Sequence, residues 1–208
     1  LKAGEAETAV SPAPQVFPSR QAAEAIFPIR DIWELVPSAR FRICRMAPEH
    51  YDGKGLVHYQ SWQETYRGLM DDTILEHLSL DRCRAMAARY PENTLVALDM
   101  ADGDKVVGFV CYAKEAREFI TVPGASELCA LYVLREHQGQ GLGRRLLDAC
   151  LQRLPHPKVG LLVLEGNQRA IGFYERMGFR LTGVRRTDQL FDREITELEM
   201  VLDRDTTK

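Results

Sequence analysis

Between residues 138 and 145 the sequence reads Gln138-Gly139-Gln140-Gly141-Leu142-Gly143-Arg144-Arg145. Three glycines at alternate positions let backbone amides turn toward a ligand and let that ligand come close. A strand-like run, ELCALYVL, precedes them, and a helical run follows. Arg144 and Arg145 fall where that helix begins. Cations in a first turn oppose the helix dipole by about 0.3–1 kcal/mol each, and a bound polyanion reverses that sign. Glycines and arginines therefore make the same request, a phosphate at a helix N-terminus. The plain alternative is a loop with ordinary surface arginines.

Two phosphate motifs can be compared directly. A P-loop needs GxxxxGK[ST], which the sequence lacks. A dinucleotide fingerprint needs GxGxxG straight after a strand, whereas here the spacing is GxGxG and Leu-Arg-Glu-His-Gln intervenes. Glu165 stands about where a ribose-binding acid belongs, so the dinucleotide reading stays open.

The chain of 208 residues is long enough for one domain with an extension. Its 45% hydrophobic and 27% charged content excludes wholesale disorder. A net charge of −3 argues against a nucleic-acid partner. No run of about 18 apolar residues exists, so no membrane-spanning helix is expected. The first residues lack the basic start and apolar core of a signal peptide, which points to the cytoplasm, although residue 1 is Leu and export stays open. Five cysteines form no CxxC pair, and five histidines form no HExxH or HxH, so no metal is expected. Cys44, Cys111 and Cys129 lie in apolar runs and read as buried small hydrophobes.

Residues 1–40 read as an extension, a proline-containing lead followed by an apolar arm at 20–36 with Ile29, Ile32 and Trp33. From residue 41 strands and helices alternate to about 203, leaving a short tail at 204–208. FRICRMA is a strand. Trp62, Tyr66 and Leu69 share a helical face, and Arg82–Tyr90 is a second helix. TLVALDM and KVVGFVCYA form a hairpin through ADGD, with Gly103 supplying positive φ. The helix after the glycines runs from Gly141 to Leu154 and is stopped by Pro155. VGLLVL is a strand covered on both faces. Asn167 caps a helix whose stripe is Ala170, Phe173, Tyr174 and Met177, with Gly178 just past its end. Two final strands follow, in which Thr196, Leu198, Met200 and Leu202 face one way and Glu197 and Glu199 the other.

Gln138-Gly139-Gln140-Gly141-Leu142-Gly143 resembles the Gln/Arg-x-x-Gly-x-Gly/Ala signature of the GCN5-related N-acetyltransferases (GNAT). ELCALYV is similar to that family's fourth strand, NQRAIGFYERMGF to its next helix, and SWQETYRGLM to its first helix in many members. The resemblance covers about residues 41–203. It implies an α/β fold, a mixed, mainly antiparallel seven-stranded sheet flanked by helices. Strands 127–134 and 159–165 would be parallel, joined by the helix after the glycines.

The same resemblance implies an acyltransferase that moves the acetyl group of acetyl-CoA to a primary amine by direct attack. Gln138, Gly139, Gln140, Gly141, Leu142, Gly143 and Arg144 would hold the pyrophosphate. The backbone of Leu131, Tyr132 and Val133 would pair with the pantetheine amides, as an added strand does. Asn167 would touch the pantetheine arm, although its cap role alone explains it. The Tyr174 hydroxyl would donate to the coenzyme sulfur, where the plain alternative is a core tyrosine. Glu127 is the candidate base, against a strand-edge charge, and His137 reads as a loop residue.

Trp62 and Tyr66 would meet the acceptor, with Glu64, Asp71, Asp72, Asp188 and Asp192 nearby. Aromatics with carboxylates suit a cationic amine, and equally a solvated helix face. The acceptor, a small molecule or a protein amine, is left undefined. A homodimer through the arm is a further expectation. A different class also stays open, a non-catalytic acyl-CoA-binding or sensing module on the same fold.

Overall fold

The computed structural model describes residues 40–89 and 91–205. The expected lead, arm and arm-mediated dimer lie outside the described residues. Seven strands form one sheet: β1 (Phe41–Arg45), β2 (Thr94–Asp99), β3 (Lys105–Ala113), β4 (Ala125–Val133), β5 (Lys158–Leu164), β6 (Arg180–Leu190) and β7 (Arg193–Asp203). Their order is β1-β2-β3-β4-β5-β7-β6. Every neighbouring pair is antiparallel except β4–β5, which is parallel. A parallel pair needs a crossover, and α4 (Leu142–Leu151) supplies it, as the sequence predicts.

The sheet is covered on both faces. Phe109 meets His58 of α1 (Tyr51–Tyr66), while the adjacent Gly108 looks onto Leu146 of α4. Successive strand residues point to opposite faces, so α1 and α4 pack on opposite sides. All six residues of β2 are buried, the apolar run Leu95–Leu98 and the polar Thr94 and Asp99 that flank it. Glu199 of β7 is fully buried too, its carboxylate accepting from Thr121 N, Thr121 Oγ1 and Thr182 Oγ1. Among the described residues no helix is long and apolar enough to cross a membrane.

Several boundaries differ from the sequence reading. The helix α4 stops at Leu151, not Leu154, because the chain tightens, with Arg153 N bonding Cys150 O and Leu154 N bonding Leu151 O. The Arg204 guanidinium donates to Leu151 O and Leu154 O at 2.8 and 3.0 Å, covering carbonyls that a helix end leaves orphaned. Leu69 is not on the α1 face. The helix ends at Tyr66, Gly68 takes φ 78°, and Leu69 is exposed. A short helix, α2 (Asp72–His77), was not anticipated, and Asp71 caps it by accepting from Thr73 N at 2.9 Å. The next helix, α3, spans Leu80–Arg89 and begins earlier than Arg82, with Ser79 Oγ accepting from Arg82 N. In the β2–β3 hairpin Gly103 and Asp104 take φ 62° and 60°. The last helix, α5 (Gln168–Arg176), is capped by Asn167 as read.

Asp99, fully buried at the end of β2, ties three segments together. It accepts two bonds from Arg40 Nε and one from Nη2, and one from Ala101 N, and lies 3.4 Å from His137 Nε2. These bonds, the Arg40 guanidinium first, hold its carboxyl down at about 2. A depressed folded pKa stabilises the fold above the unfolded value of about 3.9, and the contribution disappears as pH falls toward the folded value. Thermal melts in acid should therefore show wild type losing stability between those values. Asp99→Asn, already lacking the contribution, should show a flatter decline over the same window.

Candidate active site

The pairing of β4 with β5 covers Ala125↔Lys158, Ser126↔Val159 and Glu127↔Gly160, and stops there. Beyond Glu127 the strands separate. A bulge marks the departure, because Cys111 opposes Ala130 and Tyr112 opposes Leu128, leaving Cys129 as the extra residue. That explains a departure from the sequence reading. Cys129 is exposed and borders the gap, Cys44 and Cys111 are half-buried, and Cys83 and Cys150 are the buried ones.

The gap is a cleft of about 470 Å³. Leu131, Tyr132 and Val133 line it, paired with Val110, Phe109 and Gly108 of β3 on their other side. An unpaired strand side of this kind accepts an extended, amide-bearing ligand. The glycine loop contributes Gln138, Gly139, Gly141, Leu142, Gly143 and Arg144 to the wall. Gly139 and Gly141 take φ 77° and 75°, and a Cβ on either would meet nothing. Their requirement is the left-handed backbone that turns the amides, not space. Gly141 is the N-cap of α4 and offers no side-chain cap, which leaves the first amides of that helix directed outward.

Gln138 folds back and donates to Val133 O at 2.7 Å, pinning the loop to β4. Gln140 is exposed and bonds Glu136 O instead of lining the cleft. Arg144 is exposed, with Asp148 3.7 Å away. Arg145 points elsewhere and donates to Phe41 O at 2.9 Å, so one of the two arginines secures β1. His137 is buried beside Asp99, under the loop.

The cleft wall also carries Tyr66, Tyr132 and Tyr174. Tyr174, on α5, is buried against Phe173 and Phe179. Burial pushes its phenol well above the usual range, so it holds its proton at neutral pH. Tyr66 OH and Tyr132 OH lie 2.9 Å apart, and both residues line the same cleft. Trp62 stands edge-on to Tyr66 at 5.1 Å and is not in the wall. Asn167 is in the wall, its Oδ1 accepting from Ala170 N at 3.1 Å. Thr65, Leu162 and Arg169 also line the cleft, and nothing in their types or spacing singled them out.

Glu127 is not placed as a free base. It is 2% exposed, and both carboxylate oxygens are engaged by the Arg117 guanidinium, with Arg117 N donating as well. Those bonds use the lone pairs that proton abstraction needs. Glu127→Gln should therefore cost about 1–3 kcal/mol of stability by weakening a charge-assisted contact. Turnover should stay within a few-fold of wild type, read by melting temperature and initial rate on the same sample. Three of the other acidic candidates have partners too. Asp71 lies 3.2 Å from Arg193, Asp188 Oδ2 accepts from Arg186 at 2.8 Å, and Glu64 Oε2 accepts from Arg135 N at 3.1 Å. Asp192 sits in the turn of the β6–β7 hairpin with φ 62°.

Among the described residues no group of three or more His, Cys, Asp or Glu side chains is placed to hold a metal ion. The cleft fits a thioester coenzyme in three respects: outward amides for phosphates, an unpaired strand side for amides, and a proton-bearing phenol in its wall.

Comparison with known proteins bears on the fold and the family. The model of the "Acetyltransferase (GNAT) family" matches residues 57–179. A "Probable N-acetyltransferase" of Mycobacterium tuberculosis is 26% identical over 70% of this chain and 83% of its own length. An "L-methionine sulfoximine/L-methionine sulfone acetyltransferase" of Pseudomonas aeruginosa is 32% identical over 58% and 70%. Among solved structures, the PaiA N-acetyltransferase of Thermoplasma acidophilum in complex with coenzyme A superposes with a TM-score of 0.57. It is 19% identical, over 78% of this chain and 98% of that one. The family model spans more than half of the residues, and the chain belongs to the GNAT family of acetyltransferases.

Proposed function

We propose that this chain transfers the acetyl group of acetyl-CoA to a primary amine in one step, without an acetylated enzyme. The observation that carries the reading is the splayed β4–β5 pair, with glycine-loop residues and Tyr174 together in the wall of the opening. The loop amides and the α4 N-terminus bind phosphates. The free side of Leu131–Val133 aligns the pantetheine arm, beside Asn167. Backbone amides of β4 are suited to donate to the carbonyl oxygen as it gains charge. The neutral amine nitrogen forms the new C–N bond as the C–S bond breaks, and Tyr174 donates a hydrogen bond to the departing sulfur. The proton that nitrogen sheds ends on coenzyme A as its free thiol.

A thiol relay through Cys129 is disfavoured by its surroundings. Although Cys129 is exposed at the cleft edge, local desolvation of its sulfur among strand neighbours, with the Glu127 carboxylate beside it, raises the thiol above its ordinary value. An acyl carrier must be a thiolate, and this one is almost wholly protonated at neutral pH. The acceptor carries its own cost, since a side-chain amine of pKa about 10.4 is neutral in only about one molecule in a thousand near pH 7.4.

Similar proteins include an N-alpha-acetyltransferase, a peptidyl-lysine N-acetyltransferase and the methionine sulfoximine and sulfone acetyltransferase, which supports an amine acceptor. The test is thiol release from acetyl-CoA with a panel containing a polyamine, an amino acid, an aminoglycoside and a lysine peptide. Release that depends on one of these amines supports transfer. Coenzyme binding with no release from any amine favours the sensing-module alternative.

A further inference from the structure

The face of α5 that carries Phe173 also carries two arginines. Arg169 comes four residues before Phe173 and Arg176 three residues after it, the spacings that bring side chains together on one helix face. Both arginines line the cleft with Phe173. Among the described residues neither has a hydrogen-bond or ion-pair partner, in contrast to Arg135, Arg145 and Arg185. Between them stands Gly172, inside the helix, where a glycine weakens it. The atom that a Cβ at 172 would meet is Nη1 of Arg176, at 3.4 Å. The bare position lets the Arg176 guanidinium lie back along α5, beside Phe173. A cation in the last turn suits the helix dipole, which accounts for an arginine there but not for Gly172.

This face adjoins the phosphate-binding part of the cleft. A Cβ on Gly143, in the first turn of α4, would lie 3.5 Å from the Phe173 ring. The middle of α5 therefore stands against the helix start whose amides are directed outward. A coenzyme whose pyrophosphate meets those amides carries, beyond the pyrophosphate, a ribose with a 3′-phosphate. That monoester bears a charge of about −1.5 to −2 near neutral pH. The glycine loop has little free positive charge left for it. Arg145 is committed to Phe41 O, and Asp148 lies 3.7 Å from Arg144. The two α5 arginines supply that charge, and a planar guanidinium can engage two phosphate oxygens at once.

We propose that Arg176, with Arg169 on the same face, binds the ribose 3′-phosphate and makes the protein selective for coenzyme A thioesters over thioesters that lack this phosphate. The inference rests on the coenzyme reading above and adds the residues that choose among donors. A thioester on dephospho-coenzyme A, or on the phosphopantetheine arm of a carrier protein, offers the same amides and sulfur to the cleft. It brings no 3′-phosphate to α5.

The experiment titrates the full chain calorimetrically with coenzyme A and with dephospho-coenzyme A, in wild type, in Arg176→Gln and in the double variant that adds Arg169→Gln. Both arginines are exposed, so the variants keep the fold, which circular dichroism checks. Wild type should bind coenzyme A about tenfold or more tighter than dephospho-coenzyme A, as for one charge-assisted contact. Arg176→Gln should lose most of that ratio by weakening coenzyme A alone, and the double variant should bind the two ligands alike. Equal wild-type affinity for the two, or a ratio that survives both substitutions, overturns the proposal. So does an equal weakening of both ligands by Arg176→Gln, which would assign the guanidinium to the pyrophosphate. If wild type binds neither ligand, the coenzyme reading fails and the proposal falls with it, a result distinct from equal binding of both, where the proposal alone fails.

Discussion

Tyr174→Phe should lower turnover by about 10²–10⁴-fold, the range for losing one positioned proton donor. The ring stays and keeps its packing against Phe173 and Phe179 at 5.2 and 5.5 Å. Stability should therefore change by no more than about 1 kcal/mol. Coenzyme affinity should stay close to wild type, because the hydroxyl meets sulfur only as sulfur departs. Burial has already excluded the phenolate at neutral pH, so the donor is present before each turnover. Saturating kinetics with chemistry rate-limiting make the comparison. Unchanged turnover would leave Tyr174 as a core residue with a polar tip.

Gly141→Asp should weaken coenzyme A binding by about 100-fold or more, equivalent to ~2.7 kcal/mol. Gly141 sits at φ 75°, a region that Asp tolerates better than most residues, and its Cβ would meet open space. The carboxylate would lie at the N-cap of α4, where it can accept from that helix's own first amides. The fold is therefore retained, while the amides that phosphate needs are occupied and a like charge is added. Calorimetric titration with coenzyme A, on a sample shown folded by circular dichroism, measures the effect. Wild-type affinity would remove the loop from the account.

The sequence makes some parts of this site legible and hides others for identifiable reasons. The strand–glycine–helix run at 127–151 is legible because it is local: positive-φ glycines, an apolar strand and a helical stripe are all contiguous. The α5 helix is equally plain, since its cap and stripe are neighbours in sequence. Its Asn167 cap bond is the one expected, to Ala170 N. Glu127 shows the opposite case. Its type and position suggest a base, but the partner that occupies it, Arg117, lies on a loop that only the sheet brings close. Arg145 also looks like a phosphate ligand until β1 places Phe41 O beside it.

Cys129 reads as buried because its neighbours are apolar, and a bulge, which leaves no compositional mark, carries it to the cleft edge. The Tyr66–Tyr132 hydroxyl pair joins α1 to β4 across 66 residues of chain, beyond any local pattern.

One measurement bears on transfer in a single step more directly than any other. Acetyl-CoA carrying an isotope-labelled acetyl group is mixed rapidly with the protein, with and without an amine identified by thiol release. The mixture is quenched within the first turnover, and protein and small molecules are analysed separately by mass. The account predicts that label passes to the amine in step with free coenzyme A, and that the protein, Cys129 included, carries none. Labelled protein that forms without amine and is discharged when amine is added would contradict direct attack.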